Sequence, residues 1–164
     1  MRALASEHPE VWVSVSATTR PPRPGEREGR DYFFVSEAAF DELIATDGLL
    51  EWAQVHGSAR YGTPAAPVLA AVADGRRVIL EIELQGSRQV RRRLPGARYV
   101  FIAPPDPETL LERLHGRGTE TESQVRRRLE TAQTELAAAG EFDHVVVNDE
   151  LGRAVDELVD LLGL

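Results

Sequence analysis

The chain has 164 residues, carries a formal net charge of −8 and contains no cysteine. This length suits one domain with a sizeable core, and the missing thiols exclude disulfides, a thiolate zinc site and a cysteine nucleophile. The acidic balance argues against a general nucleic-acid-binding protein. No apolar run approaches the roughly 18 residues that span a bilayer, and the N-terminus lacks a signal-peptide pattern. We therefore expect a cytoplasmic protein without membrane or nucleic-acid partners.

The first half of the chain predicts three strands and three helices. Alternating valines indicate the first strand, whereas Ser36 is a suitable N-cap and Gly48 a suitable stop for a helix. The stretch from Gly57 to Gly62 predicts a turn, and Thr63 before a proline indicates the N-cap of the next helix. The predicted strands are 11–15, 31–35 and 49–56, and the predicted helices are 1–8, 36–46 and 63–75.

The second half predicts three more strands, each followed by at least one helix. We expect the most apolar stretch, 78–84, at the centre of the sheet. Asp106 before Pro107 predicts an N-cap and a first helical residue. The predicted strands are 78–84, 99–103 and 142–148, and the predicted helices begin near residues 85, 106, 122 and 150. Strands that alternate with helices predict an α/β protein with a parallel sheet flanked by helices on both faces.

One segment, residues 14–34, combines hydroxyls, arginines, prolines and glycines, and it reads SVSATTRPPRPGEREGRDYFF. Its prolines exclude a helix and stiffen the chain, and its glycines allow the turns that return the chain to a strand. Guanidinium groups beside hydroxyl and phenol donors are suited to holding a phosphate. The alternative interpretation is a solvated basic loop.

Glu51 is a candidate for reading a nucleobase. Ligands of open α/β sheets bind at the carboxyl ends of strands, where we expect the arginine segment, Glu51 with Tyr61 and Thr63, and Glu83. A carboxylate can accept from guanine N1–H and its amino group together, whereas adenine presents an acceptor at N1. The alternative is an exposed strand carboxylate. The four histidines show no metal-ligand spacing, so we assign no protein metal site.

The ordered pattern S-x-S-x-T-T-R-x-P-R-x-G-E-x-x-G-x-D-Y-x-F in residues 14–34 resembles guanylate kinases, and the resemblance continues over nearly the whole chain. It implies a P-loop NTPase-like parallel sheet flanked by helices, with a GMP-binding subdomain of mixed strands and a mobile lid. A single domain would span residues 1–164, with the GMP region near 16–63 and the lid near 113–128. The implied reaction, in purine nucleotide metabolism, is transfer of a phosphoryl group from ATP to GMP with Mg²⁺, which gives ADP and GDP.

The resemblance also implies roles for individual residues. The residues that match the family's phosphate-binding positions are Arg20, Arg23, Tyr32 and Tyr61. The residues that match its guanine-binding positions are Ser16, Glu51, Thr63 and Glu83. On the ATP side, the matches are the lid arginines Arg117 and Arg128 and the adenine-side Asn148. Two departures stand out. The family commonly has Asp where Glu83 stands, and the segment before Tyr61 is one residue longer than usual.

The phosphate-cradling loop G-x-x-x-x-G-K-[ST] does not occur in this sequence. The resemblance places this loop before Met1, so we expect that the loop is missing because of a start site set too far downstream or a truncated chain. We therefore expect catalysis by these 164 residues to be impaired. Real degeneration is disfavoured because the lid arginines and Asn148 are kept. The alternative function is a non-catalytic guanylate kinase-like module that binds GMP or a phosphopeptide, and an RNA-binding protein is disfavoured by the charge.

Overall fold

The computed structural model describes residues 2–55, 59–115 and 122–164. The chain forms two compact units, Met1–Ala97 and Arg98–Leu164. The elements of the first unit are α1 (Arg2–Glu7), β1 (Val11–Val13), β2 (Ala17–Thr18), β3 (Phe33–Phe34), α2 (Glu37–Ala45), β4 (Leu49–Val55), β5 (Ala59–Pro64), α3 (Ala65–Ala73), β6 (Arg77–Ile79) and α4 (Leu84–Arg93).

The first unit contains a parallel pair and a mixed sheet. β1 pairs with β6 in parallel, and the mixed sheet has the strand order β3-β2-β5-β4. Within that sheet β2 is parallel to β3 but antiparallel to β5, and β4 is antiparallel to β5. The mixed strands expected for the GMP region are therefore confirmed as a feature of the fold.

The core of the mixed sheet lies on the face that α2 covers. Ala17, Phe40 and Leu49 are buried there, and Phe33 and Trp52 pack against them. The helix begins where the sequence predicts, because the Ser36 hydroxyl accepts a hydrogen bond from the Ala39 amide over 3.1 Å. Burial of aromatic and aliphatic side chains on this face leaves the opposite face for other chemistry.

The predicted turn from Gly57 to Gly62 is wrong for residues 59–62, which belong to β5, and its first two residues lie outside the described residues. A Cβ atom at Gly62 would approach the Glu51 carbonyl oxygen to 2.9 Å, so glycine here allows close contact between strands rather than a turn. The predicted Thr63 cap is also wrong. Pro64 occupies the N-cap position of α3 without a side-chain hydrogen bond, and the Thr63 hydroxyl has a partner in the sheet instead.

Two smaller predictions also need correction. The residue with left-handed backbone after α2 is Asp47, with φ of 55°, and not Gly48. Aspartate tolerates this conformation better than most residues do. The strand predicted at 78–84 is limited to Arg77–Ile79, because its partner β1 ends at Val13 opposite Ile79 and α4 begins at Leu84.

The described part of the second unit contains a parallel pair of strands and three α-helices. Its elements are β7 (Val100–Ala103), α5 (Pro107–His115), α6 (Glu122–Ala137), a 3₁₀ turn (Ala139–Glu141), β8 (His144–Val147) and α7 (Leu151–Leu162). β7 and β8 pair in parallel from Val100 opposite His144 to Ala103 opposite Val147. The predicted Asp106 cap is confirmed, since its carboxylate accepts from the Thr109 amide over 2.7 Å. No helix in the described part of the chain is long and apolar enough to cross a membrane.

Candidate functional site

The mixed sheet has a second face, opposite α2, on which the polar candidate residues lie. The register places Gly62 opposite both Ala17 and Trp52, on the face that α2 covers. Side chains alternate along a strand, so their neighbours in sequence point the other way. The residues on this second face are Thr18, Phe34, Glu51, Ala53, Tyr61 and Thr63. Tyr61 and Thr63 are two residues apart on β5 and therefore lie about 7 Å from one another.

Arg20 is the centre of a cluster at one end of this face. Its terminal nitrogens donate to the two carboxylate oxygens of Glu26 over 2.7 Å each, and its Nε donates to the Tyr61 hydroxyl over 3.0 Å. The guanidinium carbon lies 5.0 Å from the centre of the Tyr32 ring. The rings of Tyr32 and Tyr61 meet edge to face, with their centroids 5.8 Å apart. The cluster thus joins the arginine segment to β5.

The charges in this cluster perturb one another. The Arg20 guanidinium lowers the pKa of Glu26 to about 2, and the Glu26 carboxylate raises the pKa of Arg20. Burial raises the pKa of the Tyr32 phenol, and the neighbouring Tyr61 adds to that shift. Arg20 therefore keeps its charge at every physiological pH, and the Tyr32 phenol stays protonated.

Glu51 and Thr63 form a second polar pair on the same face. Glu51 is 5% exposed and Thr63 is fully buried, and the Thr63 hydroxyl donates to Glu51 Oε1 over 2.6 Å. Burial raises the pKa of the Glu51 carboxyl, hydrogen bonds from Thr63 oppose this shift, and the charge of Glu83 reinforces it. The alternative of an exposed strand carboxylate is wrong for Glu51, because this side chain is buried. Burying a carboxylate is costly, and the hydrogen bond from Thr63 offsets part of that cost.

The other candidates of the first unit flank these two groups. Arg23 is exposed, and its backbone amide donates to Glu26 Oε2 over 2.7 Å, which attaches it to the Arg20 cluster. Ser16 lies just before β2 and its carbonyl accepts from the Phe33 amide over 2.9 Å. Glu83 occupies the N-cap position of α4 and is exposed. The structure thus joins Arg20, Tyr32 and Tyr61 directly, and Glu51 and Thr63 directly.

The candidates for the ATP side belong to the second unit. Asn148 follows β8, its amide donates to the Ala103 carbonyl over 2.8 Å, and its own carbonyl accepts from Arg113 over 2.9 Å. Arg117 lies outside the described residues. Arg128 lies in α6, and its side chain is not among those described. The predicted lid at 113–128 is therefore described only at its two helical ends.

Two residues that the sequence did not single out contact these clusters. Glu26 accepts hydrogen bonds from Arg20 at both of its carboxylate oxygens. The sequence feature that could have pointed to Glu26 is a carboxylate within an arginine-rich loop. Gly86 lies in α4, where a Cβ atom would come within 2.3 Å of Glu51 Oε2. The sequence feature that could have pointed to Gly86 is a glycine within a helix, because such a glycine often allows close packing.

Comparisons with known proteins agree with this fold. The family model for guanylate kinase matches residues 1–163. The guanylate kinase of Cutibacterium acnes is 60% identical over 162 residues, which cover 99% of this chain and 81% of that protein. The guanylate kinase of Nocardia farcinica is 55% identical over 162 residues, 98% of this chain and 84% of that protein. A crystal structure of guanylate kinase from Anaplasma phagocytophilum matches with a TM-score of 0.82 and 30% identity, covering 99% of this chain and 80% of that chain.

The parallel strand pairs, the mixed sheet and its polar face define an α/β protein of the nucleoside monophosphate kinase class. Within that class, the chain belongs to the guanylate kinase family. The resemblance stated from residues 14–34 and the fold class are thereby confirmed. Because relatives of this similarity are named guanylate kinases, the family favours an enzyme over the non-catalytic module.

Proposed function

We propose that this protein transfers the terminal phosphoryl group of ATP to GMP, which gives ADP and GDP. The observation that carries the proposal is the arrangement of two polar groups on one sheet face. Arg20 with its tyrosines forms a basic end, and the buried Glu51–Thr63 pair forms an acceptor end. Tyr61 and Thr63 link these ends through one strand at a spacing of about 7 Å. In a nucleoside monophosphate, the phosphate would fit the basic end and the base would fit the acceptor end.

At the acceptor end, Glu51 supports selection of guanine. Thr63 holds one carboxylate oxygen over 2.6 Å and so limits the rotation of the group. An ionised carboxylate can accept from guanine N1–H and the N2 amino group, whereas adenine N1 would set a lone pair against it. A buried carboxylate facing an acceptor is strongly unfavourable. Glu83 and Ser16 are proposed to complete the base site.

At the basic end, Arg20, Arg23, Tyr32 and Tyr61 are proposed to bind the GMP phosphate. Glu26 fixes the orientation of the Arg20 guanidinium and balances its charge. The exposed Arg23 side chain can therefore supply a further positive charge to the incoming phosphate dianion. A rigid cluster of this kind reduces the ordering cost of binding.

For transfer, a GMP phosphate oxygen attacks the γ-phosphorus of ATP in line while the bond to ADP breaks. Catalysis of this step depends on alignment and charge neutralisation. Arg117 and Arg128 are proposed to supply lid charges, and Asn148 to contact adenine. The described residues hold no cluster of three or more metal-ligating side chains. Mg²⁺ is accordingly proposed to bind through the nucleotide phosphates, where it would neutralise charge.

We extend the proposal to the whole chain as one guanylate kinase domain, residues 1–164, that acts in the cytoplasm, where ATP and GMP are available. The GMP region would span about residues 16–63 and the lid about 113–128.

Isothermal titration with GMP and AMP tests the base assignment, and a coupled ADP-release assay tests turnover. We expect GMP to bind more tightly than AMP and to be required for ADP release. Equal affinities would overturn the role of Glu51. GMP binding without any ATP-dependent formation of GDP, also in a longer form that carries the G-x-x-x-x-G-K-[ST] loop, would instead support the non-catalytic module.

A further inference from the structure

Helix α4 lies along the outer edge of β4, the strand that carries Glu51. β4 is the last strand in the order β3-β2-β5-β4, so one side of its backbone lacks a strand partner within the described sheet. Gln89 occupies this edge, since its Nε2 donates to the Trp52 carbonyl over 2.7 Å and its Oε1 accepts from the Trp52 amide over 3.2 Å. Arg93 donates to the Leu49 carbonyl over 3.0 Å. One face of the helix thus replaces a neighbouring strand.

Gly86 lies on the same face of α4, one turn before Gln89, and meets the Glu51 carboxylate itself. A Cβ atom at Gly86 would come within 2.3 Å of Glu51 Oε2 and 2.9 Å of its Cδ. Gly86 is buried, and its φ is not in the left-handed region, so the requirement for glycine is one of space and not of backbone conformation. The carboxylate is therefore held between the Thr63 hydroxyl at Oε1 and the helix backbone near Oε2.

From this packing we propose that Gly86 and Gln89 are positioning residues for base recognition. Gly86 leaves the space in which the Glu51 carboxylate lies. Gln89 fixes the backbone of Trp52, the residue that follows Glu51 in the strand. The inference rests on the proposed function, because it assumes that Glu51 reads guanine. Neither residue needs to touch the nucleotide. Both set the position of the acceptor oxygens to which the guanine donors must bind.

Helix propensity separates this role from a general effect on folding. In the interior of a helix, alanine is favoured over glycine. A Gly86→Ala change should therefore stabilise α4, unless the added methyl group displaces Glu51. The double-mutant cycle of Gly86→Ala with Glu51→Ala measures this conflict. We expect Gly86→Ala to lower the unfolding midpoint in the wild-type background and to raise it, or leave it unchanged, when residue 51 is alanine.

Titration with GMP and with IMP tests the effect on recognition, because IMP differs from GMP only in lacking the N2 amino group. We expect Gly86→Ala to weaken GMP binding about tenfold and to bring the GMP-to-IMP affinity ratio close to one. Gln89→Ala should change both quantities in the same direction by a smaller factor. Gln85→Ala, on the exposed side of the same helix, is the matched control and should leave the ratio unchanged.

The outcomes separate the inference from the proposed function. A Gly86→Ala variant with the wild-type ratio, or a cycle with no coupling between residues 86 and 51, would overturn the positioning role. Equal loss of GMP and IMP binding would also overturn it, since that is the effect of general unfolding. A wild-type protein that does not distinguish GMP from IMP would overturn the base assignment on which the inference rests, whatever coupling energy the cycle gives.

Discussion

Glu26 binds both terminal nitrogens of Arg20, with two hydrogen bonds of 2.7 Å. The side chains are 17% and 12% exposed, so this bidentate pair is well shielded from water. The same Glu26 carboxylate also accepts from the Arg23 backbone amide. One acidic residue therefore organises two of the arginines proposed to bind phosphate.

This pair predicts a dependence of stability on acid pH. The pKa of Glu26 falls from an ordinary value of 4.5 to about 2, so the folded state favours the ionised carboxylate. The stabilisation is complete above pH 4.5 and is lost as the pH falls towards 2. We expect Glu26→Gln to lower the free energy of unfolding by about 1 kcal/mol at pH 7. Urea unfolding between pH 2 and 7 should show this difference shrinking with acid, and Glu7→Gln at an exposed position is the control for the loss of one negative charge.

The two arginines predict different consequences for stability but the same loss of phosphate binding. Arg20→Ala and Arg23→Ala should each weaken GMP binding by about 1.5–3 kcal/mol and leave guanosine binding almost unchanged. Arg20→Ala should also lower the melting temperature, because Glu26 and Tyr61 lose their hydrogen bonds to the guanidinium. Arg23→Ala should not, since its side chain is exposed. Calorimetry with both ligands checks this, with exposed Arg76→Ala as a control for charge. Equal losses for GMP and guanosine would mean that the arginines only shape the loop.

Glu51→Gln should make the protein more stable and a poorer GMP binder. Burial raises the pKa of Glu51, so ionisation of this carboxyl costs stability once the pH rises through the folded-state pKa. An amide avoids that cost, and we expect a gain on the order of 1 kcal/mol at pH 8 that disappears near pH 4. GMP affinity should fall by about 1.5–3 kcal/mol, because an amide cannot accept both guanine donors. Thermal melts at the two pH values, with parallel titrations, check both effects. A variant that is less stable at pH 8 contradicts the argument.

Thr63→Val should be destabilising in proportion to the charge on Glu51. The substitution keeps the shape of the side chain but removes the donor to a buried carboxylate, at a cost of about 1–3 kcal/mol. The cost should be larger at pH 8 than at pH 5, since a protonated Glu51 loses less when it is unpaired. Thr109→Val removes a similar bond to Asp106 at an exposed position and should change little. Similar losses in the two variants would show that burial of the pair is not what matters.

Sequence signals that act locally predicted their elements well. Ser36 and Asp106 cap their helices as expected, because a cap depends on residues within one turn. The family resemblance in residues 14–34 is likewise carried by a continuous pattern, and the family is confirmed.

Contacts between distant segments explain what the sequence did not predict. Glycine is typical of turns and threonine of helix N-caps, but pairing with β4 places Gly62 and Thr63 in a strand. The space at Gly86 depends on Glu51, which no local pattern connects to it. The roles of the individual site residues stay predictions, although the structure joins five of them in two contacting groups.

The parallel pairing of β2 with β3 constrains the length of the arginine segment. Parallel neighbours need a crossover of about a dozen residues or more, and residues 19–32 provide it without any helix. Deletions in this loop would therefore pull apart two strands of the sheet as well as move its arginines. Insertions at its tip, where Gly25 has φ of 86°, would cost only a slowly growing closure entropy. The segment is therefore free to lengthen but not to shorten.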